Sequence, residues 1–265
     1  MSISLQTADT GIFTMNYVRF GSGKKNLVIL PGLSLQSVLL STEAVKDAFA
    51  GFEKDFTIYL FDRRNELPAS YTVYQMAEDT AAVLKTLKLE NNCIFGASQG
   101  GMMTLCIAAK HPDLVEKICL GSASAKVTDF RIFEKWISYA ERGNARDLYL
   151  SFGKAVYPES IFNQSEKLFE DASKTVTKAE LNRFIILANA MRDFDVTAVI
   201  HQIRCPALII GSSDDKVLGS DASPAIAECM KANKNAKLVM YNGYGHAVYD
   251  TAPDFRAHML EFFSN

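Results

Sequence analysis

Three groups in this sequence could together activate a nucleophile: a serine among glycines, a histidine among glycines and two adjacent aspartates. Ser98 lies in Gly96-Ala97-Ser98-Gln99-Gly100-Gly101, between the apolar run Cys93-Ile94-Phe95 and the apolar stretch Met102 to Ala109. This reads as strand, sharp turn and helix. Lacking a Cβ, Gly96 and Gly100 let the strand and helix come close around a strained residue, which leaves the serine hydroxyl exposed. The following helix aims free N–H groups and the positive end of its dipole at the same point, where negative charge could develop. The pattern is that of a nucleophile elbow, Gly-x-Ser-x-Gly.

A serine hydroxyl is a weak nucleophile until a base takes its proton, and an imidazole base works best when a carboxylate orients it. Downstream, Asn242-Gly243-Tyr244-Gly245-His246 places a histidine in a glycine-rich loop just after an apolar run. Asp214 and Asp215 follow the preceding apolar run in Gly211-Ser212-Ser213-Asp214-Asp215-Lys216-Val217-Leu218. If these runs are parallel strands, their C-terminal ends share one sheet edge and all three loops open onto one crevice.

The elements needed to position these loops follow from periodicity. Strands are expected over Ile12 to Phe20, which turns at Gly21-Ser22-Gly23-Lys24 as a hairpin, then over Asn26 to Leu30, Phe56 to Phe61 and the elbow run, and over Val115 to Leu120, Pro206 to Gly211 and Lys237 to Tyr241. Helices are expected over Ser37 to Phe52, from the Thr72/Gln75 capping box through Leu87, after the elbow to Lys110-His111-Pro112, over Ser223 to Ala232 and over Pro253 to Phe263. Strands alternating with helices imply right-handed crossovers and a mostly parallel, doubly wound α/β sheet. Between about Lys126 and Ile203 no strand-like run occurs. Apolar residues there recur at helical spacing in Phe130 to Tyr139, Leu148 to Phe152, Ser165 to Phe169 and Ala179 to Met191, which predicts a helical insertion. The expected division is therefore a core of residues 1–125 and 204–265 and a helical cap of residues 126–203.

Composition narrows the partners. The chain has 265 residues, 48% of them hydrophobic and 22% charged, and a formal net charge of −2, so it can bury a large core. With no block of like charge it has no electrostatic footprint for nucleic acid or an anionic membrane, and a small molecule is the expected partner. The apolar runs are too short to span a bilayer. The polar segment Met1 to Thr10 has no signal-peptide pattern, so a cytoplasmic location is expected. The five cysteines, 93, 106, 119, 205 and 229, include no Cys-x-x-Cys pair and read as reduced core residues. No His-x-x-x-His or cysteine-rich spacing suggests a metal, and no glycine-rich loop ending in Lys-Ser or Lys-Thr suggests a nucleotide phosphate, so no cofactor is expected. His111 reads as a helix C-cap, and His201 and His258 have no glycine loop or acid partner in the pattern.

Over essentially its whole length the chain resembles the α/β-hydrolase fold superfamily, whose Ser, acid, His order matches Ser98, Asp214 or Asp215, and His246. The family's acid loop, Gly-x-x-Asp followed by two apolar residues, fits here from either end. Counting from Gly211 selects Asp214; counting back from Val217 and Leu218 selects Asp215. The second count is favoured because the distance to the next packed element should fix the loop, and it leaves Asp214 as a solvated loop residue. The resemblance implies an oxyanion hole from the backbone N–H groups of Gln99 and of Leu33 in the Pro31-Gly32-Leu33 turn. That turn lacks the glycine run of some lipases, which implies short acyl groups. Asp62-Arg63-Arg64-Asn65 resembles the family's Asp-x-Arg-Gly turn, with Asn65 at the glycine position and a positive φ, and a salt-bridge role is expected for Arg63 and Arg64. The implied activity is a serine esterase acting through a covalent acyl-enzyme. Capped relatives that cleave carbon-carbon, thioester or lactone bonds, and binding proteins that use the pocket without turnover, share the fold. Aromatic residues of the insertion, Trp136 among them, are expected mainly in the core, with a few lining an acyl pocket.

Overall fold

The computed structural model describes residues 3–265; Met1 and Ser2, the start of the polar N-terminal segment, lie outside the described residues. Eight strands form one sheet: β1 (Leu5–Asp9), β2 (Thr14–Gly21), β3 (Lys25–Leu30), β4 (Phe56–Arg64), β5 (Asn92–Ala97), β6 (Val115–Gly121), β7 (Ala207–Ser212) and β8 (Ala236–Tyr241). Their spatial order is β1-β2-β4-β3-β5-β6-β7-β8. From β4 to β8 every neighbouring pair is parallel, and β1 and β2 are added antiparallel at one edge.

The central strands carry unbroken apolar runs, such as Leu27 to Leu30, Cys93 to Phe95 and Ile118 to Leu120, because helices cover both faces. The helices of the doubly wound core are α1 (Thr42–Ala48), α2 (Val73–Thr86), α3 (Gln99–Lys110), α8 (Ala222–Cys229), α9 (Val248–Thr251) and α10 (Phe255–Ser264). Alternate residues along each strand divide into two cores, as the two-residue side-chain period requires. Leu27, Ile29, Cys93, Phe95, Cys119, Leu208 and Ile210 pack with Phe49, Phe255, Met259 and Phe263. Val28, Leu30, Ile94, Ile118, Leu120 and Ile209 face the other way, onto Met76 and Leu84 of α2 and Met103 and Ile107 of α3. The Thr72/Gln75 capping box is present at the start of α2.

Four helices, α4 (Arg131–Glu141), α5 (Ala145–Val156), α6 (Glu159–Ser173) and α7 (Lys178–Asn189), connect β6 to β7. Their apolar stripes meet one another through Phe133, Trp136, Phe152 and Phe184, with Trp136 and Phe152 ring centroids 4.8 Å apart.

The structure corrects three expectations. β2 does not pair with β3. Its hairpin partner is β1, and β4 inserts between β2 and β3. The polar sequence of β1 hid an edge strand that is satisfied on one side only. The expected helix from Ser37 to Phe52 is broken into a 3₁₀ turn over Val38–Ser41, α1, and a second 3₁₀ turn over Ala50–Phe52. Its apolar residues border a cavity rather than a continuous packed surface. Asn65 is not among the residues with positive φ. It continues the β2 pairing instead, its N–H donating to the Thr14 carbonyl at 2.8 Å and its side-chain amide to Thr14 Oγ1.

Candidate active site

The C-terminal edge of the sheet gathers the three loops that carry Ser98, the two aspartates and His246. Ser98 sits between β5 and α3 with φ 51° and ψ −116°, a left-handed conformation that costs a non-glycine residue of order 1–3 kcal/mol. The conformation is held by the Ser98 N–H donating to the Gly121 carbonyl (2.8 Å) and the Met102 N–H donating to the Ser98 carbonyl (3.1 Å). The close approach around it needs glycine at two positions. A Cβ on Gly100 would run into the Leu30 and Pro31 carbonyls, and one on Gly96 would strike Thr104 and the Gly100 carbonyl.

His246 reaches both partners. Its Nε2 is 2.9 Å from Ser98 Oγ and its Nδ1 is 2.8 Å from Asp215 Oδ2. An ionised carboxylate only accepts, so the ring proton sits on Nδ1 and leaves Nε2 free to accept from the Ser98 hydroxyl. All three residues are buried. Asp215 Oδ1 accepts from the N–H groups of Val217 (2.8 Å) and Leu218 (3.0 Å), so the carboxylate is fixed at both oxygens. Burial pushes the Asp215 carboxyl upward, but the imidazole charge and these hydrogen bonds outweigh it and hold the group below the ordinary carboxylate value.

Asp214 is not a solvated loop residue. Its Oδ1 accepts from Ser212 Oγ and from the Gly243 N–H (3.0 Å), and its Oδ2 accepts from the Gly245 N–H (3.0 Å). Gly243 and Gly245 have φ of 86° and 65°. The carboxylate therefore ties the acid loop to the loop carrying His246, and the hydrogen bonds keep its pKa below the ordinary value against the upward push of burial. Adjacent aspartates thus point to opposite tasks, one toward the ring and one toward the backbone that carries it.

The Pro31-Gly32-Leu33 turn lies against the elbow; a Cβ on Gly32 would stand 3.2 Å from the Ser98 Cβ. Among the described residues, neither the Leu33 nor the Gln99 N–H donates to a backbone acceptor of a turn, loop or cap. The turn and the elbow are joined by a side chain for which a salt bridge had been expected. Arg63 is 3% exposed, and its Nη2 donates to the Pro31 carbonyl (2.9 Å) and to Gln99 Oε1 (3.0 Å) rather than to a carboxylate. Burial lowers its pKa to about 10, so it remains a cation at neutral pH. Gln99 Nε2 in turn donates to the Leu187 carbonyl of α7 (2.7 Å), and Arg183 of α7 pairs with Asp62. Arg64 takes the expected salt-bridge role, 3.7 Å from Asp79, and lies over the Phe13 ring. Sequence reasoning missed the bridging role of Arg63 because nothing in a strand-end Arg-Arg pair tells which side chain turns inward.

Ser98 and His246 open onto a cavity of about 650 Å³. Phe133 and Trp136 of α4, Tyr149 and Phe152 of α5 and Phe169 of α6 line it on one side, and Val38 and Val45 on the other. Trp136 is thus both core and wall, its indole N–H donating to Ser151 Oγ at 3.2 Å. Asp250, four residues past His246, and Tyr157 also face this cavity, and neither was singled out by spacing or glycine context.

The remaining candidates lie elsewhere. His111 caps α3 and contacts Glu78, and His258 contacts Tyr241. The five cysteines are unpaired; burial raises the Cys93 and Cys106 thiols to about 12 and Cys205 to about 11, and none lines the cavity. Among the described residues, no group of three or more His, Cys, Asp or Glu side chains could hold a metal ion, and no helix is long and apolar enough to cross a membrane.

Known proteins match this architecture closely. RutD of Rhizobium rhizogenes, which carries the provisional name of a carbamate hydrolase, is 27% identical over 222 residues, covering 78% of this chain and 82% of its own. MGS-M2, an alpha/beta hydrolase enzyme from a Medee basin deep-sea metagenome library, superposes with a TM-score of 0.85 at 24% identity, covering 99% of this chain and 98% of its own. The enol-lactonase of Burkholderia xenovorans superposes with a TM-score of 0.84 at 17% identity, covering 98% of this chain and 100% of its own, a likeness of fold. The sequence profile of the alpha/beta hydrolase fold matches residues 25–253, and the chain belongs to that family.

Proposed function

We propose that the protein is a serine hydrolase that cleaves small esters or related acyl compounds through a covalent acyl-enzyme. The observation that carries this reading is the continuous chain Ser98 Oγ, His246, Asp215, with spacings of 2.9 and 2.8 Å, opening onto one cavity. Ser98 Oγ attacks the substrate carbonyl carbon while its proton passes to His246 Nε2, and Asp215 stabilises the imidazolium that results. The new C–O bond pushes an electron pair onto the carbonyl oxygen. The Leu33 and Gln99 N–H groups receive that oxyanion, and the N-terminus of α3 adds favourable dipole potential. Collapse breaks the bond to the leaving group, which takes the proton from His246. Water then repeats the sequence on the acyl-enzyme and regenerates Ser98.

Residues 126–203 act in this reading as a cap, since α4 to α6 supply much of the apolar wall above Ser98. Carbamates belong with esters among the related acyl substrates, because both present a carbonyl carbon with a displaceable group and because RutD relatives carry that name. The unpaired cysteines suit a reducing cytoplasm. The test is hydrolysis of p-nitrophenyl butyrate by the wild type and by Ser98→Ala. The wild type turns over and the variant, folded to the same melting temperature within a few degrees, loses at least about a thousandfold in kcat. Equal rates would overturn the assignment.

A further inference from the structure

One end of the cavity is polar although its walls are mainly apolar. Asp250, Tyr157 and Tyr249 all line it, on the same cavity that holds Ser98 and His246. The Asp250 side chain keeps 46% of its surface open, and one oxygen, Oδ1, is 3.3 Å from Arg256 Nη2. Arg256 itself does not line the cavity. The carboxylate is therefore steered from behind by Arg256 and has the Tyr157 hydroxyl beside it as a hydrogen-bond donor, while the rest of its surface faces the cavity. The Tyr157 hydroxyl lies close enough to Asp250 for each to perturb the other, and Tyr249 feels both. The Tyr249 hydroxyl has no protein hydrogen-bond partner among the described residues, and it is not among the polar atoms sealed from solvent.

The carboxylate is crowded on its protein side and open on its cavity side. Protein atoms crowd it, so burial raises the Asp250 pKa despite the opposing pull of Arg256 and Tyr157. An apolar acyl chain in this end of the cavity would strip water from the carboxylate and both phenols without replacing their hydrogen bonds. A primary ammonium would replace them: it has three N–H donors and no acceptor, and here a carboxylate oxygen and two phenol oxygens can accept. The phenol rings add cation–π attraction.

We propose that the Asp250, Tyr157 and Tyr249 end of the cavity is a subsite for a primary ammonium group, so that the preferred substrates are acyl compounds bearing an amine. The substrate class rests on the serine-hydrolase reading; the subsite does not, and its test uses binding. Calorimetry with Ser98→Ala protein, which cannot turn over, compares n-butylammonium, n-hexylammonium and the alcohols of the same length. The ammonium ions bind about tenfold or more tightly than the alcohols, as one charge-assisted hydrogen bond alone would give. Asp250→Asn in the same background reduces that preference to less than about twofold. Arg256→Met, which frees Asp250 of its partner, keeps or increases it. Equal binding of ammonium and alcohol, no measurable binding of either, or an unchanged preference in Asp250→Asn overturns the subsite. If Asp250→Asn does not fold, the comparison within the parent protein and Arg256→Met decides. Failure of the wild type to hydrolyse esters, with ammonium binding intact, would refute the chemistry and leave the subsite standing.

Discussion

The adjacent aspartates give opposite predictions under the same small change. Asp215→Asn keeps the shape of the side chain, and its remaining oxygen is held by the Val217 and Leu218 N–H groups at 2.8 and 3.0 Å. The new NH₂ group must then face His246 Nδ1, where Oδ2 stood at 2.8 Å. A donor at that point favours the tautomer with Nδ1 unprotonated and the proton on Nε2, so the ring can no longer accept the Ser98 proton. It also removes the charge that stabilises the imidazolium. Loss of both effects costs about 10⁴ in kcat, or about 5.4 kcal/mol of transition-state stabilisation. Asp214→Asn leaves the ring contact intact and weakens only the hold on Gly243 and Gly245, so kcat falls by about tenfold or less. The assay is steady-state hydrolysis of p-nitrophenyl butyrate by both variants, with melting curves to establish folding. A larger loss for Asp214→Asn than for Asp215→Asn, or a loss below about a hundredfold for Asp215→Asn, would refute the division of labour.

Two further outcomes follow from the same contacts. Arg63→Met strands the Pro31 carbonyl and Gln99 Oε1, both of which Arg63 Nη2 now serves. Each orphaned acceptor costs about 1–3 kcal/mol, so the melting temperature drops, and slackened Leu33 and Gln99 amides lower kcat by about 10- to 100-fold with little change in KM; an unchanged kcat would remove Arg63 from the positioning of the oxyanion site. The pH dependence of stability reports on Asp214, whose folded pKa lies below its ordinary value of 3.8. A depressed pKa contributes stability that is full above the unfolded value and disappears as pH falls through the folded one, so melting temperatures of the wild type and Asp214→Asn should differ at pH 7, and the gap should begin to close only near pH 4 and narrow as pH falls further. A gap that stays unchanged down to the lowest pH at which the wild type remains folded would show that the carboxylate charge is not what holds the histidine loop.

Much of this was legible in the sequence because the relevant signals are local. The elbow is written in Gly96 and Gly100, since a Cβ at either would collide with backbone, and the core strands are written in short unbroken apolar runs that fill two cores. The helical segment from 126 to 203 is marked by the absence of such runs and by apolar residues at helical spacing. What escaped is what depends on where a side chain turns. Whether Arg63 pairs with an acid or bridges a carbonyl and an amide is decided by the packing of α7 against the elbow, which no spacing within residues 62–65 encodes. Asp214 reads as a solvated residue in the sequence because two of its partners are backbone N–H groups about 30 positions away, at Gly243 and Gly245. Asp250 lies four residues beyond His246 with no motif of its own, and only the folded cavity shows that it lines the same space as Ser98. The polar β1 strand was hidden for a related reason: its burial is slight, so no apolar stripe marks it.

The central claim, that Ser98 is the nucleophile, is tested most directly by covalent labelling. After incubation with a fluorophosphonate, the protein should gain one adduct mass, and peptide mapping should place it on Ser98. Labelling should slow by at least about a hundredfold in His246→Ala, which lacks the base. An unlabelled wild type, or an adduct on any other residue with Ser98 unmodified, would contradict the account.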